Sequence, residues 1–142
     1  MLKGLDPLLT PDLLHALASA GHGDVVAIVD ANFPAARVAR RLVTLAGTDA
    51  PHALDAILSV LPIDDFEPDP VVVMQVVGDA AATPDAVRDF IAVLGLRGVP
   101  PPASLERNAF YRAAAEAFVI VRTGERRFYG NILLTKGVVP PS

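Results

Sequence analysis

The chain contains no cysteine and no tryptophan, and only 6% of its residues are aromatic. Without cysteine, disulfides, thiolate metal sites and thiol nucleophiles are all excluded. That absence fits a reducing compartment. Few aromatics against 52% apolar residues point to a core built from Ala, Val and Leu. A basic excess is missing too: 12 Lys and Arg against 16 Asp and Glu leave a net charge of −4, so nucleic acid is not an expected partner. No uninterrupted apolar run approaches the ~20 residues that span a bilayer. The opening Met1–Pro7 lacks the apolar region of a signal peptide. A soluble, cytoplasmic protein with no membrane partner is expected.

What is present reads as one domain over 1–142, long enough to fold without a staple. The mean hydropathy of +0.44 is high for a small monomer and hints at apolar surface covered by another subunit. The cluster Arg37, Arg40 and Arg41 reads as a solvated face or a subunit contact. Thr10, Pro11 and Asp12 open a first helix, as N-cap, first helical position and first-turn acid, and Gly21 sits where its stop belongs. Val25–Val29 is apolar on both parities, a strand buried on both faces. A short helix and then a strand at Leu42–Leu45 follow. Gly47-Thr48-Asp49 caps a second helix, and Pro62–Pro70 is a loop with four acids. Val71–Val77 is a second buried strand, and Thr83-Pro84-Asp85 repeats the first cap to open a third helix. Pro100-Pro101-Pro102 is a stiff connector. A last helix over about 109–117 precedes strands at Phe118–Arg122 and Ile132–Thr135. Apolar strands interleaved with helices predict an α/β fold: a single three-layer domain, its sheet mostly parallel or mixed, with helices on both faces.

The chemistry-bearing residues are few. His15, His22 and His52 have no partner at metal-ligand spacing. Gly21-His22-Gly23 follows a helix and precedes a strand, the reverse of a dinucleotide fingerprint, and no serine sits in a nucleophile elbow. What remains is His22 between two glycines and before Asp24, and Asp30 at the end of a buried strand, where α/β sheets bind ligands. Arg107 with Tyr111 one turn on, and Tyr129-Gly130-Asn131 between two strands, complete the set. Each has an ordinary reading as well: a loop histidine, an Asx cap, a surface charge, turn chemistry. On these residues alone the function stays open between a sugar-binding module and a small enzyme.

Several segments match a known family in order: Lys3-Gly4, Gly21-His22-Gly23-Asp24, Asp30-Ala31-Asn32-Phe33-Pro34-Ala35 and Phe110-Tyr111. So do Thr123-Gly124-Glu125, Tyr129-Gly130-Asn131-Ile132-Leu133-Leu134 and Lys136-Gly137-Val138. The chain resembles the ribose pyranase and L-fucose mutarotase family over almost its whole length, with residues 36–41 and 95–105 matching poorly. It follows the fucose branch, since the pyranase branch tends to have Gly-His-Thr-Asp and Tyr-Ala-Asn at the corresponding places. The resemblance implies the family's fold and a cofactor-free, metal-free mutarotase of an L-fucose-like sugar. It casts His22 as general acid, Asp30 and Arg107 as sugar ligands, and Tyr129-Gly130-Asn131 as the segment closing the site from a neighbouring subunit. Asp24 and Tyr111 are further candidates. A ring-shaped homo-oligomer, typically a decamer with sites at subunit interfaces, is also implied. A D-ribose pyranase and a non-catalytic, transport-associated sugar-binding protein are the alternatives.

Overall fold

A computed structural model describes residues 1–142. Six strands form one mixed sheet: β1 (Val25–Val29), β2 (Leu42–Leu45), β3 (Val71–Met74), β4 (Ala103–Leu105), β5 (Val119–Thr123) and β6 (Ile132–Thr135), in spatial order β2-β5-β1-β6-β3-β4. Strand β6 alone runs against its neighbours, antiparallel to β1 and β3; every other pairing is parallel. Five helices cover the sheet: α1 (Pro11–Ser19), α2 (Ala35–Val38), α3 (Ala50–Leu58), α4 (Asp85–Leu96) and α5 (Arg107–Ala115).

Alternating strand positions split the core in two, because successive side chains leave opposite faces of a sheet. Val26, Ile28, Val119, Val121, Ile132 and Leu134 pack with α1, α3 and α4 on one face. Ala27, Val29, Ile120 and Leu133 pack with Phe33, Phe110 and α5 on the other. Both faces of the central strands are therefore buried, as their unbroken apolar runs require, and the three-layer α/β reading holds.

Local chemistry explains most boundaries. The Thr10 side chain accepts from Leu13 N–H at 3.3 Å and caps α1, and Asp49 does the same for α3 by accepting from His52 N–H at 2.9 Å. Helix α1 stops at Ser19 with Ala20 as its C-cap, so Gly21 follows directly at the position expected of a helix stop. Three expectations need correction. Thr83 does not cap α4: Pro84 takes the N-cap position without a side-chain bond, leaving the threonine one residue too far out. Helix α5 starts at Arg107 rather than near 109, because both Glu106 carboxylate oxygens accept N–H groups, from Asn108 at 2.9 Å and Ala109 at 3.2 Å. Strand β3 ends at Met74, three residues early. Its partner β4 turns into α5 after Leu105, so Val76 and Val77 have no ladder to join and the chain reverses through Gly78 at φ +79°.

Strand β4 itself follows directly on the proline connector and was not expected. Three residues at a sheet edge bury too little to leave an apolar pattern.

Candidate functional site

The topology decides which polar residues meet. The carboxyl ends of the parallel strands β1, β3, β4 and β5 share one edge of the sheet, and β6, running the other way, brings its amino end to the same edge. Asp30 follows β1, Met74 ends β3, Arg107 lies two residues past β4, and Asn131 precedes β6. They line a cavity of about 420 Å³ together with Phe33, Tyr111 and Tyr129, within the range of ligand pockets.

Asp30 and Asn131 form its floor, and both are buried. Asn131 Oδ1 accepts from the Asp30 backbone N–H at 2.9 Å, and its Nδ2 donates to Asp30 Oδ2 at 3.0 Å. Asp30 Oδ1 accepts from the N–H groups of Asn32 at 3.0 Å and Phe33 at 2.9 Å. Burial pushes the Asp30 carboxyl above its ordinary value, outweighing the hydrogen bonds from Asn32, Asn131 and Phe33 that pull it down. The result is an oriented carboxylate, more basic than an exposed one.

Tyr129 and Arg107 supply donors at the rim. Tyr129 sits at φ +59°, a left-handed conformation that costs a non-glycine residue roughly 1–2 kcal/mol. Its hydroxyl accepts from Val77 N–H at 3.1 Å, which ties the strained residue across the cavity mouth. The Arg107 guanidinium leans on the Tyr111 ring, 5.3 Å from the centroid, and the residue lines the cavity without an ion-pair partner.

Behind Tyr129 lies a strut. Arg127 donates to both oxygens of buried Glu125, from Nη2 at 2.9 Å and Nε at 3.2 Å, and to Asp89 on α4 from Nη1 at 2.7 Å. Gly130 is wedged against it: a Cβ there would come 2.7 Å from Glu125 Cγ and 3.5 Å from Asp30 Cβ.

His22 is elsewhere. It rides a tight turn before β1, while Asp30 follows β1, so a five-residue strand, ~16 Å long, separates the two. The turn is closed by Asp24 N–H donating to the Gly21 carbonyl at 3.1 Å, with Gly23 at φ +86° in the position that demands a positive φ. Asp24 Oδ2 accepts from Gly21 N–H at 2.7 Å, so this acid shapes the turn. The His22 ring meets two residues of the acidic loop. Its Nε2 lies 3.1 Å from Oδ1 of buried Asp64, and its centroid lies 5.3 Å from that of Phe66. The hydrogen bond from His22 holds Asp64 below the ordinary carboxylate range despite burial.

The structure thus gathers Asp30, Arg107, Tyr111, Tyr129, Gly130 and Asn131 within one chain, and leaves His22 and Asp24 at the opposite edge of the sheet. Tyr129-Gly130-Asn131 closes the cavity of its own chain. Asn32, Phe33, Met74, Val77 and Phe128 also line it. The Asp-Ala-Asn-Phe-Pro segment could have suggested the first two. Val77 and Phe128 gave no signal, since exposed apolar residues stand out only in three dimensions. Asp64 was one of four acids in a loop, 42 positions from His22. A larger cavity, about 660 Å³, opens between that loop and Arg97–Pro101. Its charged rim is acidic, and Arg97 is bound to Asp55 at 2.8 Å, so it lacks the converging donors and acceptors of the β1 site.

A mixed α/β sheet with a cavity of about 420 Å³ at its carboxyl edge, apolar-walled and floored by Asp30 and Asn131, defines the class. The model of the RbsD / FucU transport protein family matches residues 3–139, and the chain belongs to that family. The protein Atu2016 is 41% identical, covering 99% of this chain and 97% of its own, with a TM-score of 0.93. The fucose mutarotase of Streptococcus pneumoniae, solved in complex with L-fucose, is 35% identical over 98% of this chain and 100% of its own, TM-score 0.92. RbsD of Bacillus subtilis, complexed with D-ribose, shares the fold at 20% identity, covering 99% and 100% of the two chains, TM-score 0.75. No helix is long and apolar enough to cross a membrane.

Proposed function

We propose that this protein is a sugar mutarotase of the L-fucose type, interconverting the α and β anomers of a free monosaccharide by acid–base ring opening. The observation that carries the reading is the cavity that gathers Asp30, Arg107, Tyr129 and Asn131 around one sugar-sized space. The likeness to the Streptococcus fucose mutarotase supports the choice of chemistry and sugar.

Asp30, Asn131 and Tyr129 hold the sugar hydroxyls, and Arg107 adds a charged donor. His22 enters from a neighbouring copy, because its own chain holds it a strand's length away. As an imidazolium it gives a proton to the ring oxygen. The C1–O5 bond breaks with its electron pair going to that oxygen, the anomeric hydroxyl loses its proton, and C1 becomes an aldehyde carbon. Asp30 takes that proton, its basicity raised by burial. Rotation about C1–C2 and the reverse transfers close the ring on the other face. No electron leaves or enters, so the reaction needs no redox partner. Each positioned proton transfer is worth roughly 10²–10⁴-fold.

NMR saturation transfer between the anomeric protons of L-fucose tests the reading, with D-ribose, D-galactose and L-rhamnose as comparators. Native protein should speed exchange, and His22→Ala should lose on the order of 10²-fold or more. Sugar binding without faster exchange for any sugar would make it a binding protein instead.

A further inference from the structure

We infer that Asp64 is the positioning residue for His22, binding Nε2 so that Nδ1 is the nitrogen that exchanges protons with the sugar. The inference rests on the mutarotase reading for its consequence, though not for its geometry.

The turn carrying His22 is fixed from several sides before the ring is considered. Gly23 N–H donates to the Lys136 carbonyl and Lys136 N–H to the Asp24 carbonyl, each at 2.8 Å. Lys136 Nζ in turn donates to the Leu17 and Ala20 carbonyls at the end of α1, at 2.8 and 2.5 Å. The acidic loop is fastened to the same place: Asp64 N–H donates to the Thr135 carbonyl at 3.0 Å, and Gly137 N–H to the Pro62 carbonyl at 2.8 Å. Gly137 permits this approach, since a Cβ there would stand 2.7 Å from the Ile63 carbonyl oxygen. Turn and loop therefore share one anchor at the end of β6.

Within that frame the Asp64 side chain is 1% exposed and the His22 side chain 47%. Asp64 Oδ1 also accepts from Phe66 N–H at 3.2 Å, and Oδ2 from Glu67 N–H at 3.3 Å. With donors on both oxygens, the carboxylate is acceptor-only, and the hydrogen at His22 Nε2 must be the donated one. The neutral ring then carries its lone pair at Nδ1, and the imidazolium gives up its Nδ1 proton first. A buried carboxylate behind an imidazole both selects the tautomer and stabilises the cation that forms. Phe66, tilted 57° to the imidazole, walls the ring on another side.

The test is long-range ¹H–¹⁵N NMR of the imidazole in the full chain at a pH where the ring is neutral, paired with exchange kinetics. Wild type should show the Nε2–H tautomer. Asp64→Ala should show a tautomer mixture and a kcat lower by about tenfold or more, with KM near wild type, because the group lost acts on the proton transfer and not on the sugar. Asp64→Asn, which keeps the shape and an acceptor oxygen, should retain the tautomer and recover part of the rate; it carries the test if the alanine variant fails to fold. An Nδ1–H tautomer in wild type, or variants with the wild-type spectrum and rate, would overturn the role of Asp64. Absence of anomer exchange in a wild type with the Nε2–H tautomer would sink the mutarotase reading and leave the Asp64 geometry standing.

Discussion

At the residue scale the site turns on one buried carboxylate. Asp30 accepts two backbone N–H groups and an amide, yet burial still raises its pKa. A group whose folded pKa lies above its unfolded value stabilises the fold below the unfolded pKa and loses that contribution as pH rises through the folded one. The free-energy gap between wild type and Asp30→Asn should therefore drift toward the variant as pH climbs from below the ordinary value of 3.8 to neutrality. Urea unfolding at a series of pH values reads that drift, and a gap independent of pH would remove the burial argument. Glu125 behaves the opposite way: burial raises it, but the Arg127 side chain and backbone N–H together bring it below its ordinary value. The two carboxylates lie side by side with opposite shifts because one has a guanidinium and the other has amides. The position of Asp30 was legible, since an acid directly after a two-face apolar strand is conspicuous. The role of Asn131 as its clamp, 101 positions away, was not.

At the element scale, the segment from Glu125 to Asn131 carries the most constraint per residue. Tyr129 is held in a left-handed conformation, Arg127 staples the loop to α4, and Gly130 is squeezed between Glu125 and Asp30. Gly130→Ala should destabilise the protein by roughly 1–3 kcal/mol, the usual cost of overfilling a packed site. Glu125 cannot swing aside cheaply, because Arg127 grips both its oxygens. The same variant should weaken sugar binding, since the displaced methyl points at Asp30. Thermal unfolding and sugar titration by NMR check both effects, and a neutral variant would show that the loop yields. Sequence made the long apolar elements plain, as for β1 and the Thr10 cap. It misplaced boundaries set by a partner's end, such as β3 stopping where β4 turns into α5, because that limit lies in another strand.

At the scale of the whole molecule, the two groups of the proposed chemistry, His22 and Asp30, occupy opposite ends of β1, and each end is flanked by exposed apolar side chains. Val77 and Phe128 stand 64% and 77% exposed at the cavity mouth, and Phe66 is 68% exposed beside His22. A head-to-tail assembly of copies would cover these side chains. Because the two patches differ, each copy would present one to the copy before it and the other to the copy after it. Such a head-to-tail contact closes into a ring when its rotation allows. The consequence can be measured without knowing the stoichiometry. His22→Ala and Asp30→Asn should each abolish anomer exchange alone. Co-expressed with different tags and purified through both, they should regain activity. A competent site needs Asp30 from one kind of subunit and His22 from the other, so random mixing in equal amounts restores about a quarter of the wild-type sites. If His22 reached the cavity of its own chain, every mixed assembly would remain dead, since no single chain would hold both groups. Recovery well below a quarter, with co-purification intact, would mean that subunits sort rather than mix. Zero recovery would place the acid of the reaction somewhere other than His22 of a neighbouring copy.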